Sequence, residues 1–416
     1  MMRLLRGAWL RTTPLRVHSS SPAARMLSTA AARLPDHVQQ KGRVHVLGMG
    51  NLGLLFAHSL YWQTPEKRPP ITLLLHRPGL LHDWNGTISI APGYSHGGTA
   101  ASRDGYDVEL LEKHAGDGGG NNIKNLILTT KTINTVSALT SIKHRLTPQS
   151  TILFAQNGMG TIEEVNEKVF PDTSTRPNYL ASVVSHGVYG EGPFRSVHAG
   201  MGTVSLGRME NDGYSLSTSD YLIQQVIDAP ALAGREFEAL ELKRIQLQKL
   251  VVNAMINPLT VIFNCRNDAL FGNPLILSLM QRLLAETSQV IRALPELSVD
   301  AEREVHFSIE RLEKVVLDMA IKTGKNTSSM LQDVRAGKPT EIDYINGYLV
   351  TRGREVGIDC DTNRRLVDMV KRVQLITPKE ILQYFLDATK TKESRNGESP
   401  AVAVSGSVHD FRSWSG

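Results

Sequence analysis

The chain reads as an α/β protein, with an N-terminal doubly wound sheet and a C-terminal all-helical domain, on three observations. A short apolar run, Arg43 to Leu47, enters Gly48-Met49-Gly50-Asn51-Leu52-Gly53 and then the helical pattern Leu54 to Leu60. Further short apolar runs alternate with helical patterns through the first half, as parallel sheets require. From about Glu236 the β-branched clusters give way to long helical periods.

Strand, G-x-G-x-x-G and helix in this order form the dinucleotide fingerprint of a Rossmann-type unit. Gly48 permits the tight turn, Gly50 lets a pyrophosphate approach the backbone, and Gly53 lets the helix pack on its strand. The helix N-terminus then presents free N–H groups and a positive dipole end to phosphates. The second strand, Ile71 to Leu75, ends in His76-Arg77-Pro78, where an NAD-binding protein would carry an acid for the ribose hydroxyls. An arginine there suits a 2′-phosphate by charge and by its planar fork, so NADP is the expected cofactor. The next strands, Leu126 onward and Thr151 to Phe154, deliver Lys131 and Asn157 at their carboxyl ends, where such sheets place ligands. A strand from about Tyr179 to Ser185 opens into His186-Gly187, and Ser196 to His198 with Thr203 to Leu206 reads as a hairpin. Thr87 to Ile90 is a further short strand, and Gly118 to Asn122 a glycine-rich surface loop.

The helical half converges on Lys249-Leu-Val-Val-Asn253-Ala-Met-Ile-Asn257-Pro258. In a helix Lys249, Asn253 and Asn257 stack along one face, while Leu250, Val251, Ala254 and Met255 cover the others. A helix this apolar is buried, and each neutral polar group on it costs roughly 2–7 kcal/mol unless partnered. The partners are either structural or a ligand; three polar groups in one line, ended by a proline that disrupts the ladder, point to a ligand. Other helices are expected at Glu236–Gln248, Leu275–Leu294, Asp300–Ile321 and from Tyr344 to Val356. Thr340 followed by Glu341 and Asp343 has the pattern of an acid-rich helix N-terminus, which by itself would account for Glu341.

Charge divides the chain unevenly. Arg3, Arg6, Arg11, Arg16, Arg25 and Arg33 all precede the first acid, Asp36; without them 40 basic residues face 41 acidic ones, so the body is no basic nucleic-acid binder. Residues 1–35, rich in Arg, Ser and Ala and free of acids, have the composition of a mitochondrial transit peptide, which implies a matrix location. No run of eighteen apolar residues suggests a membrane span. Two cysteines, Cys265 and Cys360, exclude a disulfide framework and a cysteine zinc cluster but leave one bridge open. The expected organisation is thus a transit peptide at 1–35, a nucleotide-binding domain at 36–235, a helical domain at 236–389 and a disordered tail at 390–416.

Together the glycine loop, Gln156-Asn157-Gly-Met-Gly, Lys249-x-x-x-Asn253-x-x-x-Asn257-Pro-Leu-Thr, Asn326-Thr-Ser328-Ser329-Met-Leu-Gln-Asp333 and Thr340-Glu341-Ile-Asp-Tyr-Ile-Asn-Gly resemble the ketopantoate reductase (2-dehydropantoate 2-reductase) family from about Arg43 to Leu386. The resemblance implies NADPH-dependent reduction of ketopantoate to pantoate, a step of pantothenate and coenzyme A synthesis. It implies Lys249 as proton donor and Glu341 closing the site beside the nicotinamide. It assigns Gly48 to Gly53 (with Met49, Asn51 and Leu52), Arg77, Lys131, Asn157, Gly187 and Glu341 to NADP, and Asn253, Asn257, Asn267, Asn326, Ser328 and Ser329 to substrate. The chemistry needs no metal. A small 2-oxo acid is the expected partner, with no nucleic acid and no membrane, and a homodimer stays open. One motif departs from the family, reading Cys265-Arg-Asn267-Asp268 where members have Cys-x-Asn-Gly. Two other readings remain: a reductase of the same fold for another 2-oxo or 3-oxo acid, and a non-enzymatic RNA-binding or assembly factor. Intact Lys249, Glu341 and glycine loop weigh against the second.

Overall fold

The computed structural model describes residues 42–93, 101–111, 121–209 and 216–386; the segment 1–35 expected to be a transit peptide, the tail 390–416 and Gly118 to Gly120 lie outside them. The chain runs β1 (Val44–Leu47), α1 (Asn51–Tyr61), β2 (Ile71–Leu75), α2 (Pro78–Asp83), β3 (Ile88–Pro92), β4 (Ala101–Arg103), β5 (Asp107–Leu110) and β6 (Asn125–Leu128). It continues with α3 (Thr135–Ile142), β7 (Thr151–Phe154), α4 (Thr161–Lys168), β8 (Asn178–Val184), β9 (Gly187–Gly192), β10 (Arg195–Gly200), β11 (Val204–Arg208), α5 (Leu216–Ile227) and β12 (Gly234–Glu236). β1, β2, β6, β7 and β8 are buried along their whole length, which is why they read as mainly apolar runs and not as apolar–polar alternation.

The large sheet has the order β12-β11-β8-β7-β6-β1-β2-β5. Its β5-β2-β1-β6-β7-β8 portion is parallel throughout, with neighbouring strands on either side of β1. That is the doubly wound order in which ligands bind at the carboxyl ends beside the switch point. α1 and α5 pack on one face and α3 and α4 on the other. β11 runs antiparallel to β8 and extends the sheet to β12.

The expected hairpin of Ser196–His198 with Thr203–Leu206 is not formed. β10 pairs with β9 and β3 in a separate four-stranded sheet, whereas β11 joins β8 in the large one. Gly202 between them permits the crossing: a Cβ on it would lie 2.5 Å from the Ser185 carbonyl carbon. The small sheet is tied to the start of α1 through Asn51, whose Nδ2 donates to Val188 O (3.4 Å) and whose Oδ1 accepts from Ser196 Oγ (3.2 Å).

The helical half comprises α6 (Ala239–Ile262), α7 (Pro274–Arg292), α8 (Arg303–His306), α9 (Ile309–Thr323), α10 (Ser329–Arg335), α11 (Asn346–Glu355) and α12 (Asp361–Lys371). The helix expected over Asp300–Ile321 is broken, because Phe307 O accepts from Ser288 Oγ (2.7 Å) and Ser308 caps α9 by accepting from Arg311 N–H. α6 does not end at Pro258 but passes through it. Proline supplies no N–H for Ala254 O, and that carbonyl accepts instead from the buried Asn346 Nδ2 at 3.0 Å. Leu250, Val251, Ala254 and Met255 are buried as the helix pattern requires. Cys265 and Cys360 are both free thiols.

Candidate active site

The glycine loop follows β1 directly. Gly48 has φ +109°, and a Cβ there would sit 2.5 Å from Thr130 N, while a Cβ on Gly53 would collide with Gly48 O at 1.9 Å. Gly50 is the contrast: it is exposed, and a Cβ on it would meet nothing within 4 Å. Gly50 also forms the N-cap of α1, with no side chain capping the helix. The helix end with its open concavity therefore fits a dinucleotide pyrophosphate. Arg77 stands exposed at the mouth of β2 as the N-cap residue of α2.

Lys249 reaches from α6 to the carboxyl ends of two strands. Its Nζ donates to Asn157 Oδ1 (2.9 Å), just after β7, and to Val184 O (2.7 Å), the last residue of β8. An ammonium carries three protons, so one is left for a substrate oxygen. Burial pushes the amine down to about 8, against the opposing pull of the Glu341 carboxylate. Asn253 lines the same cleft, together with Asn157, Gly158 and Leu250.

Glu341 is buried, and its side chain caps no helix. Its Oε1 instead accepts from the Thr132 N–H and Thr132 Oγ, both at 3.1 Å, and Oε2 lies 3.9 Å from Lys131 Nζ. The acid-rich N-terminus is thus not its role. The segment is held against the nucleotide-binding half because Met159 N–H donates to Tyr344 O (2.8 Å) and Gly158, at φ +85°, leaves room for that carbonyl. Lys131 also pairs with Asp333 Oδ2 at 2.5 Å. Burial raises the Asp333 carboxyl, and Lys131 opposes that shift.

Residues 44–211 match the sequence profile described as Ketopantoate reductase PanE/ApbA, and residues 241–374 match Ketopantoate reductase PanE/ApbA C terminal. The chain belongs to the ketopantoate reductase family. It is an oxidoreductase. The "Probable 2-dehydropantoate 2-reductase" of Schizosaccharomyces pombe (strain 972 / ATCC 24843) is 29% identical over 345 residues, which cover 79% of this chain and 95% of that protein. The "Ketoisovalerate reductase" of Beauveria bassiana is 25% identical over 402 residues, covering 83% and 86%. Among solved structures, a D-mandelate dehydrogenase with NADH and anilino(oxo)acetate superposes with TM-score 0.64 at 18% identity, over 80% of this chain and 98% of that one; it shares the fold.

For this family member the structure brings Lys249, Asn157, Asn253, Glu341 and Lys131 to the junction of the two halves. Asn257 is half-buried two turns beyond Lys249 on α6, and Gly187 opens β9 close to Gly200. Asn267 and Ser328 are set into the frame. Asn267 Nδ2 donates to Thr323 O and Oγ (both 3.1 Å), and its N–H to Asn326 O. Ser328 caps α10 by accepting from Leu331 N–H and lies 2.6 Å from Thr260 Oγ. Asn326 and Ser329 are exposed. Asp268, in place of the family glycine, sits in a 3-10 turn without positive φ, so the turn needs no glycine there. Residue-type reasoning missed Thr132 and Asp333 as neighbours of Glu341 and Lys131. The segment holding Asp333 carried the only available signal, as part of the Asn326 to Asp333 motif.

Proposed function

We propose that this enzyme reduces a 2-oxo acid, ketopantoate first among candidates, with NADPH to the corresponding 2-hydroxy acid, pantoate, on the way to pantothenate. The observation that carries the reading is Lys249, desolvated yet supported by the Glu341 carboxylate, donating to Asn157 Oδ1 and Val184 O and so keeping a third proton beside a polar cleft. A bound nicotinamide supplies the hydride. Gly48 to Gly53 and the N-terminus of α1 hold the pyrophosphate, Arg77 the 2′-phosphate, and Lys131 and Asn157 the edge of the site nearest the reacting groups. Lys249 points its remaining proton at the oxygen on which negative charge grows, and its lowered affinity for that proton eases the transfer. Asn253 and Asn257 offer amides to the substrate carboxylate and hydroxyl.

The Beauveria relative's name makes 2-ketoisovalerate the specific rival. Ketopantoate differs from it by a hydroxymethyl group, and a site that hydrogen-bonds that hydroxyl discriminates strongly against the analogue lacking it. In a panel of 2-oxo acids with NADPH, kcat/KM should be highest for ketopantoate; a preference for 2-ketoisovalerate would transfer the substrate assignment. Arg77→Ala should weaken NADPH binding and leave NADH binding almost unchanged in fluorescence titrations, and a wild-type preference for NADH would refute the cofactor choice. The acid-free segment 1–35 supports a matrix location: fused to a reporter it should carry the reporter into mitochondria, and cytosolic retention would sink the assignment.

A further inference from the structure

A second cavity adjoins the one that contains Lys249 and opens away from it. The cavity that contains Lys249, Asn157 and Asn253 is also lined by Gln156, Ser182 and Gln246. A neighbouring cavity shares Gln156, Gly158, Ser182 and Gln246 and reaches Thr161, Glu163 and Lys243. Glu163 is exposed and Lys243 partly so; the mouth lies on the α4 side of the sheet, opposite the face covered by α1. On α6, Lys243, Gln246, Leu250 and Asn253 succeed one another at helical spacing, so one stripe lines the path from solvent to the amine.

Two buried acceptors along this path have no partner among the described residues. Gln156 Nε2 is fixed by Thr130 O (2.8 Å), Thr130 Oγ (3.1 Å) and Thr135 Oγ (2.6 Å), which leaves its Oε1 buried and unpaired. Gln246 Oε1 is likewise buried and unpaired. Leaving such an oxygen without a donor costs about 1–3 kcal/mol, and a polar cleft with several acceptors is the kind of place that holds ordered water. Ser182 Oγ spends its proton on Phe154 O (2.9 Å), so its lone pairs face the same space as acceptors.

We infer that this second cavity is a water path that returns a proton to Lys249 after each turnover, with Gln246 and Gln156 as its positioning residues. The inference rests on Lys249 being the proton donor proposed above. In each cycle the hydride reduces C2 of the 2-oxo acid, Nζ gives one proton to the oxygen, and the neutral amine takes one proton from solvent. With nucleotide and substrate in the front of the cleft, the neutral amine releases its bond to Asn157 Oδ1, which lines the same cavity as Gln156 and Gln246, and rotation about Cε–Nζ turns its lone pair toward water on that side.

Gln246→Leu keeps the side-chain bulk and removes the acceptor. At pH 6.5 the first equivalent of NADPH should be oxidised with ketopantoate at the wild-type rate, since the amine starts loaded, while steady-state turnover falls on the order of tenfold. A burst of one equivalent per site results. Imidazole should restore the steady state, Gln246→Glu should retain it, and KM and melting temperature should stay near wild type. A readout independent of turnover is hydrogen exchange at Lys249 Nζ, followed by NMR on lysine-15N-labelled protein in the unreactive complex with NADP+ and ketopantoate; Gln246→Leu should slow it. No burst with unchanged exchange, or an equal loss in the first and later turnovers, overturns the path. Full activity in Lys249→Ala would instead remove the donor reading itself.

Discussion

Lys249→Ala is expected to lower kcat by roughly 10²–10⁴, the range for losing a general acid, while NADPH affinity and folding stay nearly intact. Among the described residues the amine donates to Asn157 Oδ1 and Val184 O, and Asn157 lines a polar cleft from which water can take its place. A purely structural lysine would give the reverse pattern, a lower melting temperature with activity per folded molecule close to wild type. Turnover, NADPH affinity and melting temperature measured together on the variant distinguish the two. Asn257→Ala, which removes an amide two turns along the same face, should act through KM instead.

Glu341→Gln is the second large expected effect, and its sign follows from the charge at Lys249. The carboxylate is the group that raises the lysine's proton affinity against burial. Replacing it by a neutral amide keeps an acceptor for the Thr132 N–H and hydroxyl but lets burial act unopposed, so the ammonium is lost at lower pH. With Lys249 as the proposed proton donor, activity is expected to fall as pH rises through that value. The variant should lose roughly fivefold at pH 8 and little at pH 6. Equal loss at both would mean that Glu341 serves geometry alone.

The parts of this architecture legible in the sequence are those with a local rule behind them. The glycine loop declares itself because Gly48 and Gly53 have no space for a Cβ. The polar face of α6 declares itself because three polar residues at a four-residue spacing break an otherwise apolar helix. What stayed hidden depends on distant partners. Pro258 signals a helix end until Asn346, nearly ninety residues later, supplies the donor that the proline lacks. Alternation in β10 and β11 says that both are strands but not that they join different sheets; Gly202, squeezed against Ser185, decides that. Glu341 has the local look of a helix-start acid, and only the fold brings Thr132 to it. Asn267 and Ser328 show the converse: polar residues in a motif whose side chains the frame engages.

The proton-donor role of Lys249 is tested most directly by the pH dependence of kcat/KM for the wild-type enzyme, read beside Glu341→Gln. With the amine of the free enzyme lowered to about 8 by burial, kcat/KM should be level on the acid side and fall about tenfold per pH unit above about pH 8, with the break displaced to lower pH in the variant. A profile with no break in that region, or a break that Glu341→Gln leaves in place, would contradict the account.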